Sequence, residues 1–266
     1  MTKIAITGKG GVGKTTLAAL LAHLYATRGN RVIAIDADPD ANLASALGIP
    51  AEVAAQITPI AEMSDLIAER TGAQPGGYGV FFKINPRVDD IPERFSLKHR
   101  GIELLVMGTV DAGGSGCVCP ENVLLKALVT HLLLRRDEVL VMDMEAGIEH
   151  LGRATAQAVD ALIVVVEPGR RSIQTAETVV RLARDIGLQR VYAVGNKVRS
   201  PHDADFIQKH LRGIPLLGLL PMTERAIEAD LKGLAIYDAA PDLVEGAAQI
   251  LETLESAEPP TPSPLA

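Results

Sequence analysis

The chain has 266 residues, enough to bury a core of its own as one large α/β domain rather than two small ones. Hydrophobic residues make up 47% and aromatic ones only 3%, with no Trp, so the core must be aliphatic. A net charge of −7 argues against gripping nucleic-acid phosphates, and no apolar run approaches the roughly 20 residues that span a bilayer.

Lys3 to Thr7 is a short apolar strand with no secretory signal before it, so the protein reads as cytoplasmic. A glycine loop follows. Lys14 to Thr27 then has helical spacing, with Leu17, Leu20, Leu21 and Leu24 on one side and Gly29 ending it. Further strand runs are Arg31 to Ile35, Ile102 to Met107, Glu138 to Met142, Ala161 to Val166, Val191 to Val194 and Leu216 to Leu220. They are continuously apolar, as expected of strands covered on both faces. Helical stretches near Val123 to Leu134, Ser172 to Ile186 and Asp203 to Leu211 lie between them. The pattern predicts a doubly wound, mostly parallel α/β sheet, a single domain over 1–258, and a disordered Pro-rich tail over 259–266.

Residues 71–100 interrupt the rhythm and hold Tyr78, Phe81, Phe82 and Phe95. Two readings stand: an insertion that packs its own aromatics, or a docking surface for a partner.

Gly8-Lys9-Gly10-Gly11-Val12-Gly13-Lys14-Thr15 has the spacing of a phosphate-binding P-loop, with a strand before it and a helix after it. Its glycines free backbone N–H groups to point into one concavity, where the helix dipole adds positive potential. Lys14 is expected to hold the β- and γ-phosphates of ATP, Thr15 to ligate Mg²⁺, and Thr16 to reach the α-phosphate. Lys9 is unusual, because a second lysine cannot easily share the phosphates of its own chain with Lys14. Here the sequence resembles the deviant Walker A family, which includes the nitrogenase iron protein and the septum-positioning and plasmid-partitioning ATPases. The resemblance rests on Lys9-Gly-Gly-Val-Gly-Lys-Thr-Thr16. It implies an ATP-dependent homodimer in which Lys9 reaches the partner's nucleotide.

The second strand runs into Asp36-Ala-Asp38-Pro-Asp40-Ala-Asn42. Carboxylates at the C-terminal end of a strand beside a P-loop lie where Mg²⁺ and the γ-phosphate sit. Asp38 occupies the family's water-orienting position, as general base or water anchor. Asp36 is a candidate partner for hydrated Mg²⁺, and Asp40 reads as solvated. Val139-Leu-Val-Met-Asp143 is a Walker B strand whose carboxylate would hold Mg²⁺ through water. Gly147 follows, with an N–H available to a γ-phosphate.

Val194-Gly195-Asn196-Lys197 ends a later strand, and Asn196 offers a donor and an acceptor to an adenine edge. In the family an Asn here recognises the base, with Lys197 beside it. A guanine-reading motif would need Asp where Arg199 stands, which favours ATP over GTP. Pro221-Met222-Thr223 resembles a second base-contacting loop and is equally readable as a plain strand-to-helix turn.

Cys117-Val118-Cys119 follows the flexible run Gly113-Gly-Ser-Gly116, and these are the only cysteines. Adjacent spacing disfavours a disulfide, and the count excludes a disulfide framework. A closed soft-metal site needs about four ligands, so two chains related by a two-fold axis would complete one.

At this point the resemblance narrows. Gly116-Cys-Val-Cys-Pro-Glu-Asn122 and Asp143-Met-Glu-Ala-Gly-Ile-Glu-His-Leu-Gly-Arg153 resemble the CooC family of nickel-insertion ATPases. That implies Ni²⁺ delivery to the active-site cluster of carbon monoxide dehydrogenase, with Cys117 and Cys119 of both chains holding the ion. Thiolates do not select nickel over Zn²⁺. His150 reads as a switch or interface residue. Nickel delivery to acetyl-CoA synthase is a close variant. A positioning-type ATPase would need a basic amphipathic C-terminal helix or DNA-binding charge, and Leu243 to Glu255 carries Glu245, Glu252 and Glu255 without Lys or Arg. An iron–sulfur carrier would have its bridging cysteines farther apart. Neither a membrane nor a nucleic acid is expected as partner.

Overall fold

A strand such as Ala161–Val166 carries no polar side chain, so it is stable only where helices cover both of its faces. All six of its residues are buried. In the computed structural model, which describes residues 2–75, 81–108, 119–135, 138–148 and 151–257, such strands form one sheet. In chain order they are β1 (Lys3–Thr7), β2 (Val32–Ala37), β3 (Leu97–His99), β4 (Ile102–Val106), β5 (Val139–Met144), β6 (Ala161–Val166), β7 (Val191–Val198) and β8 (Leu216–Pro221). The order across the sheet is β3-β4-β2-β5-β1-β6-β7-β8. Every neighbouring pair is parallel except β3–β4.

Alternation along the strands divides the core into two layers. Ile33 and Ile35 join one layer, with Leu124, Leu128 and Leu132 of helix Pro120–Arg135 and Ala176 of helix Arg170–Asp185. Val32 and Ala34 join the other, with Leu17, Leu20 and Leu21 of helix Lys14–Thr27 and Ile250 of helix Pro241–Ser256. Asp36 and Asp143 share the parity of Val32 and Val139, so both carboxylates stand on the face covered by helix Lys14–Thr27. That helix has the predicted limits, and Gly29 beyond it adopts φ +83°.

Several elements run past their expected ends. β2 and β5 continue through Asp36 and Asp143, which are therefore part of the ladder rather than of the loops after it. β7 extends through Asn196 and Lys197 with a register shift between Gly195 and Val198, and Pro221 closes β8. The hairpin strand β3 was not foreseen: Leu97-Lys-His is too short to carry a periodic signal. The described aromatics of 71–100 do not gather into one cluster. Phe95 packs on the core, whereas Phe81 is fully exposed, and among the described residues no ring contact joins them. Tyr78 lies outside the described residues, as do residues 258–266. Among the described residues no helix is long and apolar enough to cross a membrane.

The sheet aligns the start of the glycine loop with β6. Thr7 pairs with Val164, and a Cβ built on Gly8 would lie 2.4 Å from the Val165 carbonyl oxygen, at φ +147°. Backbone cannot yield as a side-chain tip can, so Gly8→Ala is expected to cost about 2 kcal/mol or more. Chemical denaturation of the variant would read this, and unchanged stability would contradict the close approach.

Candidate functional site

The loop over residues 8–13 connects β1 to helix Lys14–Thr27. Two more of its glycines, Gly11 and Gly13, have positive φ of +78° and +96°, which turns successive N–H groups toward one side. Gly13 also lies against Asn196: a Cβ there would be 2.2 Å from Asn196 Nδ2. Val12 is buried and Gly10 exposed. Lys14 is 6% exposed and its Nζ lies 3.3 Å from Asp38 Oδ2. Thr15 and Thr16, one helical step further, are half-buried.

Asp36 and Asp143 are partners in the β2–β5 register, and both are fully buried. Asp36 accepts hydrogen bonds from the backbone N–H groups of Leu43 (2.8 Å) and Asp38 (3.4 Å). Burial pushes its carboxyl up to about 6, and those two bonds pull the other way. Asp143 is pushed up to about 7, first by burial, with Asp36 and Asp38 adding to the rise and the Thr15 hydroxyl and Lys14 opposing it. Neither of its oxygens has a well-formed hydrogen bond among the described residues. A buried carboxylate with both oxygens unspent, beside the Thr15 hydroxyl, fits a hard divalent cation such as Mg²⁺. Asp40 is exposed, as expected, and its N–H donates to Asp38 Oδ1 at 3.1 Å.

Asn196 bridges the loop and β7. Its Nδ2 donates to the Val12 carbonyl at 2.8 Å and its Oδ1 accepts from the Lys197 N–H at 2.8 Å. One N–H and one lone pair remain for a base edge. Lys197, at φ +57°, donates from Nζ to the Gly11 carbonyl at 2.5 Å. Pro221, Met222 and Thr223 lie beside this segment: the Met222 N–H donates to the Val198 carbonyl, and Arg199 Nε reaches Met222 Sδ at 3.1 Å. Thr223 caps helix Glu224–Lys232 by accepting from the Arg225 N–H. The structure thus brings the P-loop, Asp36, Asp38, Asp143, Asn196, Lys197 and the 221–223 turn to one end of the sheet. Cys119 is half-buried just ahead of helix Pro120–Arg135, while Cys117 and His150 lie outside the described residues. Among the described residues, no group of three or more His, Cys, Asp and Glu is placed to hold a metal.

Two residues of this end were not singled out in the sequence. Thr7 Oγ donates to the carbonyls of Glu145 (2.7 Å) and Gly147 (2.9 Å), so the end of β1 holds the segment after β5. The Gly147 N–H is spent on the Glu145 carbonyl at 2.8 Å and would have to turn to meet a phosphate. Glu167, directly after β6, lies 4.0 Å from Lys9 Nζ and 3.7 Å from Lys197 Nζ. Its signal was available: like Asp36 and Asp143, it is a carboxylate at the end of an all-apolar strand.

A parallel doubly wound sheet with a P-loop and paired carboxylates at its C-terminal edge defines a nucleotide-binding protein of the P-loop class. Residues 3–236 match the family model described as the CobQ/CobB/MinD/ParA nucleotide binding domain. The carbon monoxide dehydrogenase accessory protein CooC of Rhodospirillum rubrum is 50% identical over 259 residues, covering 97% of this chain and 98% of that one. An uncharacterized ATP-binding protein of Methanocaldococcus jannaschii is 47% identical over 234 residues, covering 87% and 89%. Among solved structures, a ParA family ATPase from Chlorobium tepidum superposes with a TM-score of 0.67 at 17% identity, covering 95% and 98% of the two chains. The chain belongs to the CooC family within this group of nucleotide-binding proteins.

The buried carboxylates carry a pH signature. An acid whose folded value exceeds its unfolded value, near 3.9, binds more protons when folded, so stability falls as pH rises between the two values. For Asp143 that window runs from about 4 to about 7. Without divalent metal, Asp143→Asn is expected to gain on the parent protein as pH rises from 5 to 8, by on the order of 2 kcal/mol, or several degrees in Tm. Millimolar Mg²⁺ with nucleotide should narrow that gap. A gap independent of pH would contradict the burial argument.

Proposed function

We propose that the protein is an ATP-hydrolysing metallochaperone that dimerises around ATP and delivers nickel to the active-site cluster of carbon monoxide dehydrogenase. The observation that carries this reading is the end-to-end likeness to the Rhodospirillum rubrum accessory protein, at 50% identity. The convergence of Lys14, Asp38 and Asp143 beside a glycine-rich loop supports its ATPase part.

In this reading the N–H groups of Gly8, Gly10, Gly11, Val12 and Gly13 receive the phosphates, and Thr16 supports the α-phosphate. Lys14 leaves Asp38 for the β- and γ-phosphates. Asp38, freed, orients the attacking water and takes its proton while the bond to the leaving ADP breaks. Thr15 would ligate Mg²⁺ and Asp143 would hold it through water, with Asp36 a further partner for the hydrated cation. Bound there, the cation neutralises charge on the phosphates and on the carboxylate pair. Lys9 acts across the dimer on the partner's nucleotide. Asn196, Lys197 and the Pro221-Met222-Thr223 turn frame the base.

Cys117 and Cys119 supply two thiolates per chain, and a four-thiolate site for Ni²⁺, or Zn²⁺, forms only when two chains meet. Nucleotide state and metal affinity are then linked, and the linkage is reciprocal. Hydrolysis loosens the dimer and releases the ion to the client.

Two variants separate the parts of this reading. Lys9→Ala is expected to bind nucleotide yet lose turnover by roughly 100-fold, since removing a single charge-stabilising donor typically costs 10²–10³. Cys117→Ser with Cys119→Ser is expected to keep ATP binding and lose nickel binding by at least about tenfold. Anaerobic nickel titration with equal affinity in the parent and the double variant would remove the cysteines from the mechanism. Undiminished turnover in Lys9→Ala would remove the trans role.

A further inference from the structure

The two P-loop lysines face different carboxylates. Lys14 is buried and points inward to Asp38, whereas Lys9, with 40% of its side chain exposed, points outward to Glu167. Glu167 is well anchored. It follows β6, whose Val164 pairs with Thr7, and its backbone N–H donates to Ser172 Oγ at 3.0 Å. Ser172 is 2% exposed in helix Arg170–Asp185, so this anchor does not move with solvent. The carboxylate divides its two oxygens: Oε1 faces Lys9 at 4.0 Å and Oε2 faces Lys197 at 3.7 Å. Lys197 in turn donates to the Gly11 carbonyl.

We propose that Glu167 is a positioning residue for Lys9: it keeps that lysine on its own P-loop until a partner's phosphates compete for it, and so sets the threshold for nucleotide-driven dimerisation. This rests on the trans role of Lys9 given above. The geometry suits a bias rather than a lock. Both Lys9 and Glu167 are partly solvated, and pairs of this kind are worth at most about 1 kcal/mol, or about fivefold. A triphosphate carries several charges and outcompetes one carboxylate at 4.0 Å. Release of Lys9 also leaves Glu167 paired with Lys197, so no carboxylate is stranded. Because both protomers must let go, the effect on the dimer dissociation constant compounds to on the order of twentyfold.

The test uses the full chain with a slowly hydrolysed ATP analogue and Mg²⁺, with mass followed by sedimentation as protein concentration is varied. Glu167→Gln keeps shape and removes charge, and it is expected to dimerise at about five- to twentyfold lower concentration than the parent, with the gain shrinking at high salt. In a Lys9→Ala background the same substitution should have no effect on the dimer, since the lysine it restrains is gone. Unchanged or weaker dimerisation of Glu167→Gln beside a parent that does dimerise would overturn the proposal. So would an equal gain in the Lys9→Ala background, which would make Glu167 a general source of negative potential. Failure of both parent and Glu167→Gln to dimerise would sink the trans role of Lys9 and this proposal with it.

Discussion

Asp36 and Asp143 stand side by side on adjacent parallel strands, both without solvent, and the site depends on this pair of buried acids. The neighbouring positions of β2 and β5 are apolar, so within these two strands the burial cost falls on this pair. Burial disfavours ionisation of both and raises their values, and for Asp143 the charge of Asp36 adds to the rise. A divalent cation reverses that sign. Without a cation the pair is a local instability, which Mg²⁺ bound with nucleotide would relieve in the proposed mechanism.

Around this pair the lysines are kept apart. Lys14 and Asp38 form a shielded pair, and Lys9, Glu167 and Lys197 form a looser, wetter set. In the proposed mechanism the inner pair exchanges partners when phosphates arrive in the same chain, and the outer set when they arrive from a second chain. Thr7 ties the end of β1 to the segment after β5 through the carbonyls of Glu145 and Gly147. Cys119 lies directly ahead of helix Pro120–Arg135, which follows β4 in the chain.

Much of this was legible in the sequence because the elements concerned carry their own physics. Continuous apolar runs fixed the parallel sheet, and glycine spacing fixed the loop and the start of helix Lys14–Thr27. Carboxylates at strand ends marked Asp36, Asp38 and Asp143. What escaped was pairwise and long-range. Glu167 meets Lys9 across a sequence gap of more than 150 residues, through strand order that no local pattern encodes. Asn196 was read as a base reader, and its amide also ties Val12 to β7, which only the fold reveals. Aromatic content in 71–100 left self-packing and docking both open, and of the described rings Phe95 packs on the main core while Phe81 is exposed.

The proposed mechanism requires a metal site completed by two chains under nucleotide control. Native mass spectrometry of reduced protein with Ni²⁺ and a slowly hydrolysed ATP analogue addresses it most directly. The expected species is a dimer carrying two nucleotides and one nickel ion, with nickel lost as ADP replaces the analogue. A monomer that holds nickel with the same occupancy whatever nucleotide is present would contradict it.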